Sequence, residues 1–131
     1  NIICGYPGYS VNDFVGATIN GQTGNITCET ITATLTQTSL ASKKKNIEKL
    51  TNAKEILEST DIYKYNLKTE DDSTKKHIGF VIGDEYNYSD KITSNTNTEV
   101  DIYSMVSVLW QVVKEQQKEI DELKEMIKRG I

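Results

Sequence analysis

From Ile102 to Ile127 the residues Ile102, Val106, Leu109, Val113, Gln116, Ile120, Leu123 and Ile127 follow one another at spacings of four and three without a break. Lys114, Glu115, Lys118, Glu119, Asp121, Glu122 and Lys124 occupy the other faces. A 3.5-residue repeat held over nearly four heptads describes a coiled-coil seam between identical helices, whereas a lone amphipathic helix on its own domain needs no such strict period. The single polar layer, Gln116, can fix register. Thr98-Glu99-Val100-Asp101 approximates a capping box, and Lys128-Arg129 suit the C-terminal end of the dipole, so the helix is expected over residues 98–129. Val or Ile at one seam position and Leu at the other is the two-stranded preference, but Met105, Trp110 and Val112 widen the apolar stripe beyond a narrow two-stranded seam.

The other end of the chain is a different kind of polypeptide. Residues 1–38 contain no Lys or Arg and five of the eight glycines. Asn20-Gly21 and Gly24-Asn25 are turn signals, and Ile31, Ala33 and Leu35 alternate with Thr32, Thr34 and Thr36 as in a strand with one face buried. So few large apolar residues cannot bury a core alone, and the piece is expected to depend on partners. Cys4 and Cys28 could pair, but with no export signal they are read as free thiols. The first residue is Asn1 and the only methionines are Met105 and Met126, so the chain is expected to come from a longer precursor. No apolar run approaches the roughly 20 residues of a membrane span.

Between these ends lies a small mixed region. Ile47, Leu50, Ala53 and Leu57 give Asn46–Glu58 a helical pattern, partly broken at Thr51-Asn52. Asp61–Leu67 alternates in the β manner, and Ile78–Ile82 reads as a compact apolar strand. Two polar loops, Thr69–Lys76 and Tyr88–Thr98, are long for a compact domain.

The border between the two compositions carries the chemistry. Ser39 is followed by Lys43-Lys44-Lys45. A serine hydroxyl becomes a nucleophile only when a base takes its proton, and a lysine can be that base only as the neutral amine, a form that neighbouring like charges favour. Ser39 and Lys44 would stand about 16 Å apart along a strand and about 140° apart around a helix. They meet only if the chain turns at Leu40-Ala41-Ser42, with Ser39 at the end of a strand and Lys44 in or just before a helix. Ser42, three residues before Lys45, is the rival nucleophile. The plain alternative is a solvated lysine patch beside turn serines, since short motifs often mislead.

Ser39–Ile47, S-L-A-S-K-K-K-N-I, resembles the S-D-x-R-x-K-K-N-I start of the intramolecular chaperone, self-cleaving domain of phage tail spikes, tail fibres and neck appendages, peptidase family S74. Asp61–Asn66 resembles that family's tyrosine-rich strand, His77–Glu85 its H-x-G-F-I-A-Q-E segment, and the helix around Gln111–Gln117 its closing amphipathic helix. Leu40, Ser42 and Gly83-Asp84 depart from the family pattern. The resemblance implies that Ser39 is the nucleophile, Lys44 its base and Thr38–Ser39 the bond that is cut. It also implies a homotrimer joined through the C-terminal helix, with hairpin arms placed at the two polar loops.

The expected architecture is therefore α+β. Residues 1–38 form the β-rich tip of a trimeric spike or fibre, and residues 39–131 a small mixed helix/strand core with long loops and a C-terminal coiled-coil helix. The expected function is to trimerise and assemble the upstream part of the same bacteriophage precursor in the host cytoplasm, then to leave by serine-lysine autoproteolysis while that part enters the virion tail. Two other classes stay open: a non-cleaving trimerisation domain, and an anion or nucleic-acid binder using Lys43–Lys45. The second sits poorly with a net charge of −4. No His, Cys, Asp and Glu cluster has metal-ligand spacing and no phosphate-cradling glycine loop is present, so neither metal nor cofactor is expected. His77, the only histidine, stands next to Lys75-Lys76 at a strand edge, where an exposed residue fits, and the resemblance already gives the base as Lys44.

Overall fold

Short stretches of apolar residue separated by polar loops give short elements, and only the heptad run gives a long one. A computed structural model of the chain describes residues 18–22, 26–28 and 30–130. The chain divides into two compact units, Asn1–Thr38 and Ser39–Ile131.

In the upstream unit β1 (Thr18–Ile19) pairs antiparallel with β2 (Ile26–Thr27), placing Thr18 opposite Thr27 and Ile19 opposite Ile26. The turn begins at Asn20-Gly21, where the Gln22 N–H donates to Asn20 Oδ1 at 3.0 Å. Gly24-Asn25 and Cys4 lie outside the described residues, and Cys28 is a half-buried free thiol. The strand expected at Ile31–Thr36 does not form, and Ile31 and Leu35 are exposed. Alternation marks a chain suited to a sheet, but a ladder needs a second segment to take its N–H and C=O groups. None of the described residues supplies one.

The downstream unit is built on α1 (Ala53–Glu58), the hairpin β3 (Tyr63–Tyr65) and β4 (His77–Gly79), and α2 (Ile102–Lys128). The helical pattern from Asn46 shortens to α1, which starts directly after the break at Thr51-Asn52; residues 46–52 stay non-helical, with Asn46 at φ 53°. The buried residues of α1 are Ala53 and Ile56 rather than the Ile47, Leu50 and Leu57 of the expected stripe, all three of which are exposed. Together with Ile92, Val108 and Val112 they form the core, with Phe80 packed against it.

In the β3–β4 pair Tyr63 faces Gly79 and Tyr65 faces His77. The strand expected over Ile78–Ile82 instead starts at His77 and ends at Gly79. Tyr65 stacks on His77, and Tyr63 meets Tyr86 edge-on. His77 Nε2 lies 2.8 Å from Glu70 Oε1. That contact, with the Leu67 N–H, holds the Glu70 carboxyl below its ordinary 4.5.

The second polar loop is no extended arm. Asp90–Ile92 makes a 3-10 turn that buries Ile92, Thr93 bridges to Val100, and Asn97 reverses the chain at φ 52°. The Ser94, Thr96 and Thr98 hydroxyls converge on Glu99 Oε2. These contacts, Ser94 foremost, hold the Glu99 carboxyl below its ordinary 4.5. Hydroxyls and a carboxylate replace glycine and proline here as the punctuation of a tight turn.

The chain then enters α2 at Asp101, three residues later than the expected cap. Asp101 Oδ1 accepts from the Ser104 N–H at 3.1 Å, and the Ser104 hydroxyl donates to Oδ2 at 2.8 Å. The helix is about 40 Å long. It packs on α1 through Val108 and Val112, and Met105 is half-buried. Val112 thus serves the chain's own domain instead of widening the seam. All eight seam residues, Ile102 through Ile127, are exposed, on a face roughly 100° around the axis from Val108. Among the described residues no helix is long and apolar enough to cross a membrane.

Candidate active site

The turn that the Ser39–Lys44 pair requires is present. Leu40 enters a 3-10 turn at Ala41–Lys43 from extended backbone. Its carbonyl accepts from the Lys43 N–H at 3.1 Å, and the Ala41 carbonyl accepts from Lys44 at 3.0 Å. Lys44 is extended again at φ −122°, ψ 152°. One tight turn thus folds five residues back until the Lys44 Nζ donates to Ser39 Oγ at 2.5 Å. The expectation of Ser39 at a strand end and Lys44 in or before a helix is replaced by a simpler geometry: neither residue lies in a regular element.

Ser39 Oγ has a second partner, the Tyr103 hydroxyl at 3.1 Å, from the first turn of α2. Nothing in the sequence pattern marked Tyr103. The one usable signal was its position, a lone hydroxyl-bearing aromatic directly after the seam residue Ile102. Ser42 makes no hydrogen bond to Lys45, and Lys43 and Lys45 pair with no carboxylate among the described residues. His77 is engaged with Glu70 and Tyr65, not with Ser39. Among the described residues no group of three or more His, Cys, Asp or Glu could hold a metal ion.

The arrangement can do one kind of chemistry. An ammonium donates three protons and accepts none, so the contact as it stands is Lys44 N–H to Ser39 oxygen. Once the amine is neutral the same 2.5 Å separation serves transfer in the other direction, from Ser39 Oγ to Lys44 Nζ.

Residues 41–84 match the Peptidase_S74 family, described as chaperone of endosialidase. The matched stretch spans the 3-10 turn, Lys44, α1 and both strands of the β3–β4 hairpin, and it begins two residues after Ser39. No curated protein and no solved structure matches the chain.

Proposed function

We propose that this chain is an intramolecular chaperone that trimerises, assembles the upstream part of its own phage tail spike, fibre or appendage, and then severs itself between Thr38 and Ser39. The observation that carries the reading is the 2.5 Å contact between Lys44 Nζ and Ser39 Oγ, set by a turn within and beside the Peptidase_S74 match.

The chemistry balances without a cofactor. The neutral Lys44 amine takes the Ser39 hydroxyl proton as Oγ adds to the Thr38 carbonyl carbon. The Thr38–Ser39 C–N bond breaks, and the departing Ser39 nitrogen receives that proton from Lys44. The acyl group now sits on Ser39 Oγ as an ester. Water, deprotonated by the same amine, hydrolyses it to the Thr38 carboxylate and a Ser39 with free amine and hydroxyl. Each chain reacts once, on itself.

Assembly rests on the second face of α2. A helix already packed on its domain through Val108 and Val112 still presents Ile102, Val106, Leu109, Val113, Gln116, Ile120, Leu123 and Ile127 to solvent at heptad spacing. Two further copies of the same helix cover that face around a common axis. Holding three chains in register serves upstream β-structure whose contacts are distant in sequence and slow to form. Cleavage then removes the assembly device, which converts equilibrium stability into kinetic stability. The upstream part enters the virion tail, and the chaperone is released in the host cytoplasm.

The test is the intact mass of a precursor carrying the chain, beside Ser39→Ala and Lys44→Ala, each first confirmed as a trimer. Cleavage between Thr38 and Ser39 in the unmodified chain alone supports the reading. Trimers that all stay whole would reduce the protein to a non-cleaving trimerisation domain.

A further inference from the structure

The dyad accounts for one of the two contacts at Ser39 Oγ. The other, to the Tyr103 hydroxyl, comes from 64 residues further along the chain. Packing does not explain it: Tyr103 is 49 % exposed and stands outside the core of Ala53, Ile56, Ile92, Val108 and Val112. Its backbone, in contrast, is held on both sides. Asp101 caps the helix two residues before it through Ser104, and the Ser107 hydroxyl donates to the Tyr103 carbonyl at 2.8 Å.

Hydrogen-bond counting gives that hydroxyl a role. A serine oxygen has one proton and two acceptor positions, and a phenol can donate or accept. While Lys44 donates to Oγ, the Ser39 proton is free to go to the Tyr103 oxygen. When a neutral Lys44 takes the Ser39 proton, Oγ gains negative charge and an open lone pair. The phenolic O–H at 3.1 Å is the donor in place to meet it.

We propose that Tyr103 is the third member of the cleavage site, donating to Ser39 Oγ as that oxygen loses its proton to Lys44, and so tying the nucleophile to the first turn of the coil helix. The proposal rests on the self-cleaving reading. It adds that the nucleophile is complete only when the start of α2 is in place, one residue from the seam residue Ile102.

The experiment uses the full precursor and measures first-order cleavage rate constants for the unmodified chain, Tyr103→Phe and Tyr103→Ala, with trimer formation checked for each. Loss of one donor to a charged oxygen predicts that Tyr103→Phe cleaves about 10- to 100-fold more slowly, as slowly as Tyr103→Ala. A purely positional ring predicts the opposite, with Phe as fast as Tyr. A second readout follows from the groove beside Tyr103, lined by Leu50, Asn52, Lys91 and Ser107, which is open to small molecules. Added phenol should partly restore Tyr103→Ala, and fluorobenzene should not. Equal rates for the unmodified chain and Tyr103→Phe, or rescue by both additives alike, overturn the proposal while leaving the dyad standing. An unmodified trimer that never cleaves removes the dyad and Tyr103 together.

Discussion

Val112 and Val113 are neighbours in sequence with opposite surroundings, and truncating each to alanine separates folding from assembly. Val112 is 5 % exposed and packs in the core with Ala53, Ile56, Ile92 and Val108. Removing two buried carbons costs about 1.6 kcal/mol in transfer, and the cavity left in a five-residue core raises this to about 2 kcal/mol or more. Val113 is 62 % exposed in the single chain. The same truncation there costs the isolated domain about 0.6 kcal/mol. In a trimer the side chain is covered in all three copies, so association loses about 1 kcal/mol more per copy than the isolated domain does, about 3 kcal/mol per assembly. That corresponds to about two powers of ten in the association constant. Sedimentation equilibrium gives the association constants, and urea unfolding followed by circular dichroism at the lowest workable chain concentration gives the domain stabilities. Val113→Ala should weaken association steeply and barely touch the domain, and Val112→Ala should do the reverse. If Val113→Ala leaves association unchanged, or if Val112→Ala weakens it equally, the assignment of two separate apolar faces to α2 is wrong.

Other outcomes follow from local geometry. Asp101→Ala removes the cap of α2 and should lower stability by about 1 kcal/mol. The Ser104 N–H holds the Asp101 carboxyl below its ordinary 3.8. The cap is therefore fully effective above that ordinary value and is lost as pH falls through the lower folded one, so the difference between Asp101→Ala and the unmodified chain in thermal melts should shrink on acidification. Asn46 sits at φ 53°, where a β-carbon is strained, so Asn46→Ala should cost about 1 kcal/mol in urea unfolding and Asn46→Gly should cost little.

The heptad helix was legible because a period repeated over 27 residues averages out single exceptions, and its residues lie where the spacing puts them. Its inner face was not legible. Val108 and Val112 form a second stripe too short to show a period, and Val112 was read into the wrong face. Local breaks decided the other misses. The break at Thr51-Asn52 cut the expected helix to six residues, and Ile31–Thr36 kept a strand's pattern with no neighbour to pair with among the described residues. The Ser39–Lys44 contact could be posed as a geometric condition, since neither a helix nor a strand allows it. Tyr103 could not, because its partner is 64 residues away and no spacing rule reaches that far.

From Gln116 to Gly130 every residue of the chain is exposed, and none contributes to the core. In the trimer we propose, the last half of α2 is therefore a coupling shaft: it carries seam residues and no information about the domain it grows from. Such a shaft is interchangeable. A different parallel three-stranded coil, grafted in helical phase at Gln116, would leave α1, the β3–β4 hairpin and the Ser39 turn with every neighbour they now have, and natural sequences are free to drift there as long as the heptad survives.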